Sequence, residues 1–529
     1  MRGGSSVISE VATWVVVIIV LRWLWNMGIW LWVNPKRLER ALKQQGLEAN
    51  PYRFWVGDSV QMGNMVRQAK STPLPSHSHD LVPHISPFQH HMVNKYGRNS
   101  FMWFGQTPML ILMDPELIKD TLNRHFDFTK CHNFPITEYI APGVAGYDGE
   151  QWAKHRKILH PAFNFDKLKS LIPTFAQSCN EMINKWENML SSSDGTCEVD
   201  VWPWLKDLTK EVISRSAFGS SHEEGRLIFD LLAEQGINVM NNLQKHYIPL
   251  YRFLPTKDNN KMKEIERSAR TSLEHIINKK EKAMKAGEIR KTDLLGILLE
   301  SNQREIEEQG NKKNVGLSMD DVIDECKLFY MAGQETTSVL LVWTMMLLSR
   351  YPEWQERARE EVLQVFGNQT PHYDAISRLK IVTMILYEVL RLYPPIVWLE
   401  RYAKKDMKLG KLSIPGGVQL GIPILMMHHD QQFWGDDAKE FKPERFSEGI
   451  SKASKGSSCS AFFPFGGGSR TCMGQNFALL NAKVALSLIL QHFSFELSPS
   501  YSQALNIVPT LQPQHGVQVI LHKLTSSSS

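Results

Sequence analysis

Cysteine is scarce in this chain and shows no paired spacing. The 529 residues contain six cysteines, and no two of them form a Cys-x-x-Cys pair. A disulfide framework needs a denser set, and a structural zinc site needs closely spaced ligand pairs. The pattern therefore excludes a disulfide-stapled domain and a zinc-finger protein. Cys472 differs from the other five cysteines because it lies in a glycine-rich stretch.

The chain also has no large excess of positive or negative charge. Lysine and arginine number 60 against 55 aspartate and glutamate residues, which gives a formal net charge of +5. An excess this small argues against nucleic-acid binding. The chain is 43% hydrophobic and 22% charged, as in ordinary globular proteins, so a largely disordered chain is excluded.

The body of the chain has no internal repeat, no long linker and little strand-like sequence. The charged stretch 301–314 is predicted to be a surface loop and not a domain boundary. Strand-like segments are short, and helical periodicity dominates. We therefore predict a mainly α fold with a minor β-sheet portion, in one large domain (35–529) behind an N-terminal membrane anchor (1–34). The predicted helices include 168–190, 206–218, 261–285, 353–366 and 476–492, and the predicted strands are 109–113, 418–422 and 517–521.

One long apolar run lies near the N-terminus. Residues 11–33 are mainly apolar and include five tryptophans, although Arg22 lies in the middle. As a helix, 23 residues extend about 35 Å, enough to cross a bilayer. Basic residues follow at once (Lys36, Arg37, Arg40 and Lys43), so the positive-inside rule predicts a single span with a cytoplasmic body. A buried hydrophobic helix is the alternative.

A second long helix is predicted in the body of the chain. Ser318 and the acids after it are typical of a helix start, and the pattern runs to about residue 349. Within it, Gly333 and two threonines are weak helix formers, and threonine hydroxyls can bond back to the preceding turn. Gly333 is either a packing glycine or part of a groove beside a ligand. In the second case Glu335 and Thr336 would relay protons.

Cys472 lies in a glycine-rich frame before a predicted helix. The sequence from Phe465 to Gly474 reads Phe-Gly-Gly-Gly-Ser-Arg-Thr-Cys-Met-Gly. Glycines permit close backbone approach to a flat ligand, while Arg470 and the helix N-terminus favour a thiolate. The frame lacks the dinucleotide, phosphate-loop and nucleophile-elbow spacings. A thiolate ligand to haem iron remains.

These residues resemble the cytochrome P-450 monooxygenases. The frame Phe465-x-x-Gly468-x-Arg470-x-Cys472-x-Gly474 is similar to the haem signature of that superfamily. Four further motifs follow the same resemblance in the expected order: Ala332-Gly333-x-Glu335-Thr336, Glu388-x-x-Arg391, Pro443-Glu-Arg-Phe446 and Trp152-x-x-x-Arg156. Within the superfamily, phrases such as Gly474-Gln-Asn-Phe-Ala478 resemble a plant family that includes secologanin synthase and hydroxylases of triterpenoids and gibberellins. Gly467 and Ser469 depart from it, since Trp and Pro are frequent there.

The resemblance implies a role for each motif. Cys472 would be the axial iron ligand of haem b. Phe465 and Gly474, the first and last residues of the motif, would also belong to the cofactor-binding site. Trp152, Arg156, Arg401 and Arg470 would hold the haem propionates. Ala332 and Gly333 would form the dioxygen groove, and Glu335 and Thr336 would relay protons to O2. Glu388, Arg391 and Arg445 would form a structural ion network near the sulfur.

The resemblance also implies a substrate and partners. The pocket would be lined by 128–147, Phe329, Ala332, 396–399 with Trp398, and 507–510. An apolar lining suits a polycyclic terpenoid, with a pentacyclic triterpenoid as first choice and iridoid-glucoside ring cleavage or gibberellin hydroxylation as alternatives. Electrons would come from NADPH through NADPH–cytochrome reductase at the endoplasmic reticulum membrane, with Lys154, Arg156 and Lys157 facing that partner or forming a solvated surface. A peroxide-using haem-thiolate isomerase or lyase, and a non-catalytic scaffold, are the competing classes.

Overall fold

The fold is mainly helical. The computed structural model describes residues 4–72, 74–75, 78–130, 139, 142–192, 195–219, 222–242, 251–287, 293–310, 315–455 and 461–524. The α-helices, in chain order, are α1 Gly4–Gly28, α2 Asn34–Lys43, α3 Ser59–Ser71, α4 Val82–Ile85, α5 Pro87–Tyr96, α6 Pro115–Asn123, α7 Gly149–Leu159, α8 Phe165–Ser191, α9 Val201–Ile213, α10 His222–Asn242, α11 Lys257–Lys285, α12 Leu294–Glu308, α13 Met319–Arg350, α14 Pro352–Phe366, α15 Tyr373–Ile376, α16 Lys380–Leu392, α17 Ile424–His428, α18 Gln431–Trp434, α19 Ile450–Ala453 and α20 Gln475–His492.

The strands form small sheets at the edge of the helical body. They are β1 Phe101–Phe104, β2 Thr107–Ile111, β3 Phe128–Thr129, β4 Thr196–Asp200, β5 Leu399–Ala403, β6 Met407–Leu409, β7 Leu412–Ile414, β8 Gln419–Ile422, β9 Phe493–Leu497, β10 Leu505–Ile507, β11 Leu511–Pro513 and β12 Gln518–Lys523. The largest sheet has the order β1-β2-β8-β5-β3 and is antiparallel except between β2 and β8. A second sheet has the order β4-β12-β9, and β6–β7 and β10–β11 are separate two-stranded pairs.

Helix α13 is the centre of the body. It begins with a capping box, in which the Ser318 hydroxyl accepts from the Asp321 N–H and the Asp321 carboxylate accepts from the Ser318 N–H. Residues 337–349 are all buried, because α9, α16 and α20 pack around the helix. A helix that is apolar on every side is typical of a core element. The 32 residues extend about 48 Å, as the sequence predicts for a helix that crosses the core.

The prediction of a surface loop at residues 301–314 is wrong for the first part of that stretch. Residues 301–308 are the last two turns of α12. Gln303 donates to Glu307 at 2.7 Å, and Arg304 pairs with Glu308 at 3.9 Å. Such i,i+4 pairs extend a helix whose apolar face is set by the residues before it. The charged residues of 301–308 thus belong to an exposed helix end and not to a loop, and residues 311–314 lie outside the described ones.

The N-terminal helix joins the body without a linker. Helix α1, a π-helical turn at Ile29–Val33 and α2 follow one another directly. The segment Glu10–Lys43 is long and apolar enough to cross a membrane, and Trp14 and Trp25 are 67% and 72% exposed. From Leu31 onward the helix packs on the body, where the Tyr52 hydroxyl donates to the Leu31 carbonyl at 2.7 Å. A membrane anchor fits this helix, while the domain boundary at residue 34 stays a prediction.

Candidate functional site

The Cys472 loop presents an accessible thiol at the start of α20. The Cys472 N–H donates to the Phe465 carbonyl at 3.0 Å, which closes the loop before Gly474 and α20. The Cys472 side chain is exposed to solvent although protein surrounds it, as expected of a group that lines an internal cavity. Burial raises the pKa of the Cys472 thiol, while the N–H of Gly474, the Arg156 guanidinium and the N–H of Gln475 act to lower it. The backbone thus directs hydrogen-bond donors at the sulfur.

The residue at one departure from the plant family makes a specific contact. The Ser469 hydroxyl lies 2.6 Å from Nδ1 of His125, and the His125 ring packs on Trp152 with centroids 4.5 Å apart. A hydroxyl at position 469 therefore ties the Cys472 loop to the segment after α6. No sequence motif indicated His125.

Trp152, Arg156 and Arg470 form one cluster beside the Cys472 loop. Trp152 and Arg156 lie one turn apart on α7, and the Trp152 ring is 5.7 Å from the Arg156 guanidinium and 4.7 Å from that of Arg470. Arg156 donates to the Thr471 carbonyl at 3.0 Å. Arg470 donates to the Tyr147 carbonyl at 2.8 Å and pairs with Asp148 at 2.5 Å. The structure thus brings three of the predicted cofactor-binding side chains together with Cys472.

Arg401 and Lys130 add two cations to the cluster. The pKa of Arg401 is lowered to about 10, mainly by burial and to a smaller extent by repulsion from Arg470. The pKa of Lys130 is lowered to about 7, mainly by burial and then by repulsion from Arg401 and Arg470. Lys130 lies in the stretch 128–147 that is predicted to line the pocket, but no motif assigns it to the cofactor, because it reaches the cluster only through the pairing of β3 with β5.

The cluster fits the propionates of a haem. Basic side chains outnumber the neighbouring acids: Lys130, Arg156, Arg401 and Arg470 lie near only two carboxyl groups that act on them, Asp148 and Glu400. Nε of Arg401 and of Arg470 are both buried, and no hydrogen-bond acceptor among the described residues reaches either atom. Guanidinium groups suit carboxylates, which they bind in a bidentate manner. A bound dianion would supply the missing acceptors and charge.

Helix α13 presents Ala332 and Thr336 at an accessible position within the core. Ala332 is exposed although the helix is central, which indicates that this face borders a cavity. The Thr336 hydroxyl donates to the Ala332 carbonyl at 2.7 Å, one turn earlier. Gly333 has a different role in the structure: a Cβ at this position would lie 2.2 Å from Cδ1 of Ile213 on α9. The α13–α9 packing therefore requires the glycine, and α13 stays helical through it.

Glu335 points to the β10–β11 hairpin. Its Oε1 accepts a hydrogen bond from the Thr510 hydroxyl at 2.6 Å and another from the Gln512 side-chain amide. Burial raises the pKa of Glu335, which favours a protonated acid. Thr510 belongs to the stretch predicted to line the pocket, whereas Gln512 was missed, since nothing in the sequence relates it to α13.

The residues predicted to line a substrate pocket are partly described. Residues 131–138, 140 and 141 lie outside the described ones. Trp398 is half-buried and lies against Gly421 of β8, and residues 507–509 are also half-buried. Phe329 is buried and meets Phe163 edge-on. An open cleft of about 650 Å³ between α11 and α13 is lined largely by charged side chains, including Lys263, Arg267 and Glu274, and does not suit a hydrophobic ligand.

Glu388, Arg391 and Arg445 form a buried ion network. Glu388 and Arg391 are fully buried and joined by two bonds of 2.7 Å. Arg391 also donates to the carbonyls of His428, Ala438 and Glu440, at 2.9, 2.6 and 3.0 Å. Nε of Arg445 lies 3.5 Å from Glu388, and its Nη1 lies 2.8 Å from Asp437. All five N–H donors of Arg391 are therefore used, two on the Glu388 carboxylate and three on backbone carbonyls between His428 and Glu440.

The basic cluster Lys154, Arg156 and Lys157 does not form one surface. Arg156 turns toward the Cys472 loop, as described above. Lys157 pairs with Glu305 at 2.7 Å, and Lys154 donates to the Gly316 carbonyl at 3.1 Å. These contacts fasten α7 to α12 and to the segment before α13, so the three charges do not act as a unit.

Comparison with known proteins identifies the class. Residues 78–520 match the family model for cytochrome P-450. The 11-oxo-beta-amyrin 30-oxidase of Glycyrrhiza uralensis is 54% identical over 519 residues, 97% of this chain and 98% of that protein. The protein of the same name from Medicago truncatula is 54% identical over 528 residues, 98% of each. Cytochrome P-450 716A67 of Medicago truncatula is 54% identical over 510 residues, 96% of this chain and 97% of that protein.

The chain belongs to the cytochrome P-450 family. It is a haem-thiolate monooxygenase that uses O2, with a mainly helical haem domain. The isomerase, lyase and scaffold hypotheses are not supported by relatives that are named as oxidases.

Proposed function

We propose that this enzyme oxidises a pentacyclic triterpenoid at an unactivated carbon, and that Cys472 would hold the iron of haem b as a thiolate. The accessible Cys472 thiol, beside four cations that lack sufficient counter-charge, is the observation that carries the cofactor assignment. Trp152, Arg156, Arg401, Arg470 and Lys130 hold the propionates. The bound haem supplies the activation of O2 and the insertion of one oxygen atom into a C–H bond.

The protein residues supply position and protons. Burial raises the pKa of Glu335, while its hydrogen bonds from Thr510 and Gln512 act to lower that pKa and fix the carboxyl group in place. The Thr336 hydroxyl lies on the accessible face of α13, where it relays protons by exchanging the hydrogen that it holds on the Ala332 carbonyl. Ala332 leaves room beside the hydroxyl, and Gly333 allows α9 to approach.

The substrate class rests on the relatives and on the apolar lining. Two relatives of about half identity act, by name, on 11-oxo-beta-amyrin, a pentacyclic triterpenoid. Trp398 and the apolar residues of 507–509 suit a rigid polycyclic substrate. Iridoid-glucoside ring cleavage and gibberellin hydroxylation are the alternatives within the plant family.

The electron donor and the location follow from the class and the N-terminal helix. NADPH–cytochrome reductase delivers electrons from NADPH at the endoplasmic reticulum membrane. The N-terminal helix spans this membrane once, and the haem domain faces the cytoplasm, since basic residues follow the span.

Product formation from three candidate substrates tests the proposal. Microsomes that contain the full chain and reductase are supplied with NADPH and with 11-oxo-β-amyrin, an iridoid glucoside or a gibberellin. We expect an oxidised product from the triterpenoid alone, which disappears without NADPH, without reductase or in Cys472→Ser. Turnover of only the iridoid glucoside or the gibberellin would contradict the substrate class.

A further inference from the structure

Four acids at the start of α13 face other elements of the body. Asp320, Asp321, Asp324 and Glu325 occupy its first two turns. Asp320 and Asp324 pair with Arg270 of α11, at 2.5 and 2.8 Å. Glu325 is fully buried and lies seven residues, or two turns, before Ala332, so the two residues share one face of α13. The mechanism above does not use Glu325.

Glu325 binds both a backbone N–H and a buried histidine. Its Oε1 accepts from the Val144 N–H at 2.7 Å and from Nδ1 of His155 at 2.6 Å. Nε2 of His155 lies 3.4 Å from Asp321. Although burial opposes charge on His155, Asp321 and Glu325 outweigh it and raise the pKa of His155. Burial also raises the pKa of Glu325, although the hydrogen bonds from His155 and Val144 act to lower it. The result is a buried hydrogen-bonded bridge between α13, α7 and the segment Pro142–Asp148.

The backbone at Gly143 is shaped around this carboxylate. Gly143 has φ +68°, and a Cβ there would lie 2.7 Å from the carboxylate carbon and both oxygens of Glu325. Only glycine tolerates both the conformation and the close contact. The Glu325 site is therefore formed from two sides, by the backbone at 143–144 and by His155.

The other end of the segment Pro142–Asp148 is held by Arg470, one of the basic residues beside Cys472. The Tyr147 hydroxyl donates to Asp324 at 3.0 Å, while Arg470 holds the Tyr147 carbonyl and the Asp148 carboxylate. The segment Pro142–Asp148 thus joins the acids of α13 to the cations beside Cys472. Its position depends on the Glu325 contact at one end and on Arg470 at the other.

We propose that Glu325, fixed by His155, is a positioning residue that holds the segment Pro142–Asp148 against α13 as a wall of the substrate pocket. This role rests on the proposed function, in which the substrate binds beside Ala332 on the same face of α13. Buried side-chain hydrogen-bond networks rigidify the groups that they join, so the wall is rigid. A rigid wall discriminates between polycyclic substrates of different shape, and Glu325 is then a determinant of specificity without touching the substrate.

Three variants of the full-length, haem-loaded protein separate this role from general stability. Glu325→Leu removes the acceptor, and Glu325→Gln keeps an oxygen for the Val144 N–H. Lys280→Met breaks a different buried pair, with Asp293, away from the segment. The readouts are hydrogen exchange at the Val144 amide and the dissociation constant of 11-oxo-β-amyrin, measured from the haem absorbance change.

We expect Glu325→Leu to accelerate Val144 exchange about tenfold or more and to weaken ligand binding about as much, since the acceptor of the buried Val144 N–H is lost. Glu325→Gln and Lys280→Met should stay close to wild type in both readouts. Unchanged exchange in Glu325→Leu, or equal acceleration in Lys280→Met, would overturn the proposal. So would faster exchange with unaltered affinity. Failure of the proposed function is separate, because it would appear in the wild type as an absent thiolate spectrum or absent triterpenoid binding.

Discussion

Arg391→Met is expected to leave almost no folded, haem-loaded protein. The substitution leaves the fully buried Glu388 carboxylate with only the Lys442 N–H and Arg445, and it removes three bonds to the carbonyls of His428, Ala438 and Glu440. Breaking a buried ion pair in this way costs about 3–5 kcal/mol. That is a large part of the roughly 5–15 kcal/mol that stabilises a typical domain. Haem absorbance per milligram of protein and the thermal unfolding midpoint measure the loss.

Arg304→Met is the matched control for that substitution. Arg304 pairs with Glu308 at 3.9 Å on an exposed face of α12, where both side chains are more than half exposed. A surface pair of this kind contributes about 0–1 kcal/mol. We expect its unfolding midpoint and haem content to match wild type. Equal stability of the Arg391 and Arg304 variants would show that the buried network does not support the fold.

Thr336→Val is expected to reduce product formation about 100-fold while haem binding and substrate affinity are retained. The substitution keeps the side-chain volume and removes the one hydroxyl that donates to the Ala332 carbonyl on the accessible face of α13. A positioned proton donor contributes about 10²–10⁴-fold to a rate. Product formed per NADPH consumed is the measurement, because a failed proton delivery wastes electrons.

Thr344→Val tests whether that effect belongs to the site. Thr344 lies on the same helix and donates to the Leu340 carbonyl at 2.7 Å, as Thr336 does to Ala332, but it is fully buried. We expect this variant to keep the wild-type ratio of product to NADPH. A similar drop in both variants would mean that the Thr336 hydroxyl only supports the helix.

Sequence patterns predict the long elements well, and local chemistry explains why. Helices α8, α11, α13 and α20 follow from a regular apolar period and, for α13, from the capping box at Ser318. The loop prediction for residues 301–308 was wrong because charged residues are typical both of loops and of exposed helix ends. Only its i,i+4 contacts, which depend on the helix already being formed, decide between the two.

The residues of the candidate site likewise fall into two groups, those that a local sequence motif predicts and those that it does not. Motif residues such as Cys472, Arg470, Trp152 and Arg391 are recognisable because their spacing within one segment carries the chemistry. Lys130, His125 and Gln512 reach the site through strand pairing or loop packing between distant segments. No local spacing encodes such contacts. Gly333 has the packing role that was one of its two predicted alternatives, since its missing side chain makes room for Ile213.

The reduced carbon monoxide difference spectrum of wild type and Cys472→Ser tests the central claim most directly. The full chain is expressed in microsomes together with reductase, and the two proteins are compared at equal amounts. We expect a long-wavelength Soret band in the wild type and its loss in Cys472→Ser, because only a thiolate ligand pushes enough electron density onto the iron. A wild-type spectrum typical of a histidine-ligated haem, or an unchanged band in the variant, would contradict the assignment of Cys472 and the roles built around it.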